Sequence, residues 1–152
     1  MSDTPRTSLM QRAAEAIRRD LLEGCEADFF AGLDIIRADK GNVLTTVNEA
    51  IARLGLCLVV EVRGGPAPLL GDPTEWDASI VIAESPVLNR AEGGSGKTAD
   101  IALDAVLATF VEGRGHFRPT EVLPLAGDDL VIEVRGKTTV EFFKTNKQTG
   151  EE

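Results

Sequence analysis

The sequence is poor in the residues that most often carry chemistry. It has one histidine, His116, and two cysteines, Cys25 and Cys57, in 152 residues. A lone histidine cannot build a histidine-based metal site, and a nucleophilic triad around it would need a serine or cysteine that the spacing does not supply. Two thiols far apart in sequence, without a Cys-x-x-Cys spacing, make neither a disulfide scaffold nor a zinc site. Cys57 lies in the apolar run LGLCLVVEV and reads as a small core residue. Basic charge is short as well: Lys and Arg number 16 against 25 Asp and Glu, a formal net charge of -9. Such a chain does not wrap nucleic acid by counterion release, which needs clustered cations. No apolar run approaches the ~20 residues that span a bilayer. The start, MSDTPRTSLMQRAAEAIRRD, lacks the apolar stretch of a signal peptide, so the cytoplasm is the expected place of synthesis.

What is there suits one globular domain. Apolar residues make up 43% and charged residues 27%, and a chain of this length buries roughly 70% of its unfolded surface. The tail KTNKQTGEE, residues 144–152, has nothing apolar to bury and reads as flexible. Ser8 to Glu23 reads as an amphipathic helix with Met10, Ala13, Ala14, Ile17 and Leu21 on one stripe, Thr7 or Ser8 capping it and Gly24 ending it. Phe29 and Phe30 fall in a segment too short for a helix; Leu33, Ile35 and Ile36 suggest a short strand. Asn42 caps a second helix, Val43 to Leu54, which Gly55 stops. Residues 56–63 form a strand with Leu56, Leu58, Val60 and Val62 on one face. After a loop rich in Gly and Pro, residues 78–84 (ASIVIAE) are apolar on both faces, as a central strand requires. A third helix covers about 98–112, with Ile101, Ala102, Ala105, Val106 and Phe110 as its stripe. TEVLPLAGDD gives a short strand and a turn. LVIEVR and TTVEFF are expected to pair as a hairpin around Gly136 and Lys137, with Val134 against Val140. The order α-β-α-β-β-α-β-β-β defines an α+β domain: one mainly antiparallel, mixed sheet with helices packed on it.

The stretch AEGGSGKT, residues 91–98, fits a loose phosphate-loop pattern. Such a loop needs a strand running almost directly into the glycine turn, so that backbone N–H groups and a helix N-terminus surround the phosphates. Here SPVLNR separates the strand from the glycines, and no later strand ends in the acidic residue that would hold magnesium. The same residues read more simply as a surface loop, with Thr98 capping the third helix and Asp100 in its first turn. On that reading Lys97→Ala leaves folding and function unchanged. Asp72, Glu75, Asp77, Asp128 and Asp129 read as turn formers, His116 as a surface or hairpin-packing residue, and Trp76 as the seal at the edge of a core. An enzyme site usually leaves a denser trace. The sequence therefore favours a binding or assembly protein with no catalytic, cofactor-binding or metal-binding residue.

Three stretches carry a likeness. NVLTTVNEAIARLGLCLVVEV is a helix ending in glycine and feeding a strand. WDASIVIAESPVLNR is a strand followed by Glu84, Ser85, Pro86, Asn89 and Arg90, and GKTADIALDAVLATFV is the helix after it. Together, over residues 8–143, they resemble phage and prophage tail-completion proteins of the tail terminator type. The resemblance implies a structural virion protein, assembled in the host cytoplasm. It would form a ring with itself, commonly a hexamer, capping the tail tube, stopping its polymerisation and presenting the docking surface for the neck or head-completion protein. DNA would only pass through the lumen, and an acidic lumen would let it slide. The family's motifs transfer no contact residue. The loop SPVLNRAEGGSGK suits a partner by its own chemistry, as a mobile segment with Asn89, Arg90 and Lys97 as a positive edge for a carboxylate-lined neighbour. Three alternatives stay open: another head–tail connector or baseplate adapter, a small enzyme or nucleotide-binding protein using 91–98, and a non-viral oligomeric α+β protein.

Overall fold

The computed structural model describes residues 9–63, 75–125 and 130–139. Helix α1 (Leu9–Glu23) leads through a single turn, α2 (Ala27–Phe30), into β1 (Asp34–Arg37). Then come α3 (Val43–Leu54), β2 (Leu56–Arg63), β3 (Glu75–Glu84), the short α4 (Pro86–Arg90), α5 (Ala99–Thr109), β4 (Arg118–Leu125) and β5 (Leu130–Thr139). The strands form one sheet in the order β1-β2-β3-β5-β4. β1 lies parallel to β2, joined through α3, and the remaining pairings are antiparallel. The α+β class and the mixed, mainly antiparallel sheet stand as the sequence implied.

Period-two alternation decides which face each strand gives to the core. Leu56, Leu58 and Val60 of β2, Ala78, Ile80 and Ile82 of β3 and Val134 of β5 are buried on one face. They pack under Ala14, Ile17 and Leu21 of α1 and Ala102, Val106 and Phe110 beside α5. On the opposite face α3 covers the β1–β2 side, where Ile36, Ala50 and Cys57 are buried together with Val43, Val47 and Ile51 against them. That second layer explains why β2 is buried at Cys57 as well as at Leu56, Leu58 and Val60. Trp76 is 8% exposed and packs on Ala13, so it seals the core edge as expected.

Several expectations change. Phe29 and Phe30 belong to α2, a single helical turn in which Phe30 is buried and which is closed by the Phe30 N–H on the Glu26 carbonyl and the Ala31 N–H on the Ala27 carbonyl; the two rings meet edge to face at 5.2 Å. Asn42 precedes α3, yet it sits in the left-handed region and its side chain makes no capping bond. Ile101 is 54% exposed; the buried stripe of α5 runs through Ala99, Ala102, Ala105, Val106 and Thr109. The helix itself ends at Thr109, short of residue 112. The largest difference is the last hairpin. Leu130–Thr139 is one continuous strand, and Gly136 stands in its middle opposite Ala78 and Pro119. This glycine makes a close approach, not a turn: a Cβ there would lie 2.2 Å from the Arg118 carbonyl oxygen. Val134 accordingly faces Ile80 and Val122 rather than Val140. The caps Thr7 and Ser8, the partner strand beyond Thr139 and the tail 144–152 lie outside the described residues.

Gly55 ends α3 with φ +78, and a Cβ on it would come within 2.3 Å of Asn89 Cα. Gly55→Ala is expected to destabilise the fold by at least about 2 kcal/mol, since the left-handed penalty and a clash with backbone add. Urea titration read by circular dichroism checks this.

Candidate functional site: the turn from the central strand to the last helix

The central strand ends at Glu84, a carboxylate that is 5% exposed. Pro86 at the first helical position of α4 suits a helix start, because the N–H it lacks would have had no partner within the helix. α4 carries Asn89 inward, and the loop 91–98 closes over it. Asn89 Nδ2 donates to Glu84 Oε2 and to the Lys97 carbonyl, both at 2.8 Å. Its Oδ1 accepts from Ser95 Oγ at 2.9 Å and from the Gly96 N–H at 2.8 Å. One side chain thereby meets the full hydrogen-bonding capacity of its amide. Glu84 Oε1 accepts from the Ala99 N–H at 2.9 Å, so the carboxylate sits at the N-terminus of α5. The Ser95 N–H donates to the Leu54 carbonyl and the Ser85 N–H to Gly55, tying the turn to the end of α3.

This arrangement uses most of the backbone donors of the loop within the chain. Several groups that would cradle a phosphate are already engaged: Gly94 N–H on the Ala91 carbonyl, Gly96 N–H on Asn89, Lys97 N–H on Ser95 Oγ and Ile101 N–H on the Thr98 hydroxyl. The helix N-terminus has its anion in Glu84. Thr98 caps α5 as the sequence suggested.

The expected positive edge is corrected in two of its three members. Asn89 is 5% exposed and faces inward, because its amide is needed by Glu84 and the loop. Lys97 Nζ donates to the carbonyls of Phe29, at 2.6 Å, and Ala31, at 3.0 Å, and lies over the Phe29 ring. It therefore satisfies carbonyls at the end of α2, contacts that the expectation of a silent Lys97→Ala did not include. Arg90 alone is exposed. The loop is pinned by hydrogen bonds rather than loose. What the sequence reading missed is the outer face of α4, where Val87 is 79% and Leu88 39% exposed. Pro86 was the signal, being a helix start as well as a break in a strand-to-loop path.

The other candidates have structural partners. Asp20 of α1 accepts from the His116 N–H at 2.7 Å and lies 3.0 Å from its Nδ1. The hydrogen bond to Asp20 raises the His116 imidazole above its ordinary 6.5, against the opposing effect of burial. Glu75 pairs with Arg118 at 2.9 Å and Asp77 with Lys137, both acids standing on β3 rather than in turns. Asp72, Asp128 and Asp129 lie outside the described residues. Burial first, and the Asp34 carboxylate second, push the Cys57 thiol up to about 11, as suits an inert core residue. Cys25 is exposed. Among the described residues no group of three His, Cys, Asp or Glu side chains is placed to hold a metal ion, and no helix is long and apolar enough to cross a membrane. In comparisons with known proteins, no family model, curated protein or solved structure matches the chain.

Asn89→Ala removes the donor from a buried carboxylate and the acceptor from Gly96, and is expected to cost about 2–4 kcal/mol in urea unfolding. Lys97→Ala is expected to cost about 1–2 kcal/mol, since two carbonyls lose a charged donor. ATP with magnesium should leave the melting temperature of the wild type unchanged. The Asp20–His116 pair makes a separate prediction. A raised folded value means its contribution is fully present below about 6.5 and lost as pH rises through the folded value, above 6.5. Unfolding free energies from pH 5.5 to 9 should decline in that window, and Asp20→Asn should flatten the decline.

Proposed function

We propose that the chain is an assembly subunit of the tail terminator type: a ring-forming structural protein of the virion tail that caps the tail tube and offers a docking surface to the neck. The observation that carries this reading is α4. A five-residue helix presents Val87, Leu88 and Arg90 to solvent while Asn89, between them, is buried in four hydrogen bonds. A short helix has little stability of its own, so the interior bonding holds in place an apolar pair that the fold does not bury. Contiguous exposed apolar side chains on a rigid support favour a protein neighbour. The engaged N–H groups of the loop weigh against the nucleotide-binding alternative. An acidic lumen that lets DNA pass remains part of the proposal, motivated by the net charge of -9.

Native mass measurement with negative-stain imaging tests it. Six-fold rings, free or seated on the ends of tail tubes, are the expected result. A chain that stays monomeric at high concentration and does not bind tube ends would overturn the reading. Val87→Asp is expected to weaken tube capping at least tenfold without lowering the melting temperature, because this residue is 79% exposed.

A further inference from the structure

Among the described residues the sheet has two edge strands, β1 and β4, and alternation along each strand determines which peptide groups turn outward. The Ala38 N–H donates to the Val60 carbonyl at 2.9 Å. Asp34, Ile36 and Ala38 therefore turn their peptide groups to β2, and Ile35 and Arg37 turn theirs away. Both outward carbonyls are engaged within the chain. Arg18 Nε donates to the Ile35 carbonyl at 2.7 Å, and the Lys40 N–H donates to the Arg37 carbonyl at 3.2 Å. Among the described residues this edge is left with two N–H donors and no open carbonyl. It borders a groove of about 460 Å³ lined by Glu15, Arg18, Ile35, Arg37, Lys40 and Val43 among others.

The same alternation, carried across the sheet, describes β4. Val60 faces β1, so Ile80 opposite it faces β5, and Val134 opposite Ile80 faces back toward β3. Val122, opposite Val134, and Pro124, two residues on, then turn their peptide groups to solvent. The Thr120 hydroxyl on the Arg135 carbonyl, at 3.3 Å, agrees, since Arg135 must face β4. Pro124 has no N–H. Over these residues the β4 edge offers the carbonyls of Val122 and Pro124 and a single donor.

We infer that β1 of one copy pairs with β4 of the next, with Ile35 opposite Pro124 and Arg37 opposite Val122. The two donors of one edge then meet the two carbonyls of the other, each set two residues or roughly 6.8 Å apart. Pro124, which has no donor, meets the residue whose carbonyl Arg18 holds. Like edges do not match: β1 on β1 sets donor against donor, and β4 on β4 has one donor per chain for two carbonyls. Direction agrees too. β1 and β4 run oppositely within one sheet, so a neighbour in the same orientation brings its β4 antiparallel to β1. The contact is heterologous and propagates head to tail until it closes. The inference rests on the ring reading and names the surface through which its subunits meet.

Disulfide trapping tests it in the full chain on a Cys25→Ser background. Arg37→Cys with Val122→Cys in one chain should give, on mild oxidation, a ladder of integer multiples of the protomer on a denaturing gel, with most of the protein above monomer. Each single variant should stay monomeric. Asp39→Cys with Thr120→Cys, at exposed flanking positions, repeats the test should the first pair disturb folding. Folded double variants without a ladder, or single variants that dimerise, would overturn the edge pairing. Wild-type rings by native mass spectrometry without a ladder would sink the edge pairing and spare the ring. A ladder without discrete rings would keep the edge pairing and sink the ring.

Discussion

The carboxylate of Glu84 is buried at the end of the central strand, and a buried anion without partners would destabilise any fold by several kcal/mol. Its two oxygens are met by the first N–H of α5 and by the amide of Asn89. From that pair much of the local structure follows. α4 has to be helical to bring Asn89 back under the strand end. The loop has to close so that the Lys97 carbonyl, Ser95 and Gly96 complete the amide. Gly55 and Gly94 have to be glycines, because Asn89 backbone atoms lie within 2.3 and 2.4 Å of where their Cβ atoms would stand. A charged group in the interior thus sets the path of the chain from the sheet to the last helix.

The same constraint separates what faces inward from what is left for a neighbour. A residue whose hydrogen bonds are all made inside the chain has little to offer a ligand, and this holds for Asn89. Among the described residues, capacity left for a neighbour lies on the outer face of α4 and along the two edge strands of the sheet. Those edges differ in kind. One has its carbonyls engaged by Arg18 and Lys40, and the other loses a donor to Pro124. Such devices ordinarily protect an edge from pairing. Here they leave opposite edges complementary and like edges mismatched.

Much of the fold was legible from periodicity. α3 and β2 have the bounds read from the sequence, and β3 was recognisable as central from its two apolar faces, because burial on one or both sides writes itself into spacing two or three to four residues long. The failures have a common form. Gly136 and Lys137 look like a turn, yet Gly136 is small because the Arg118 carbonyl comes close to it across the sheet. Asn42 looks like a cap without making a capping bond. Ile101 looks like core and is half exposed. For Gly136 the cause is a neighbour distant in sequence, which periodicity does not show.

The sequence by itself determined the class of fold, the acidic balance and the apolar faces of most elements, since these depend on composition and on spacing within one segment. Only the tertiary structure decided that Asn89 turns inward, that Lys97 reaches the carbonyls at the end of α2, that Val87 and Leu88 turn outward, and which peptide groups of β1 and β4 face away from the sheet. Hydrogen-bond capacity is a local property, but whether it is met depends on what the rest of the chain brings within about 3 Å.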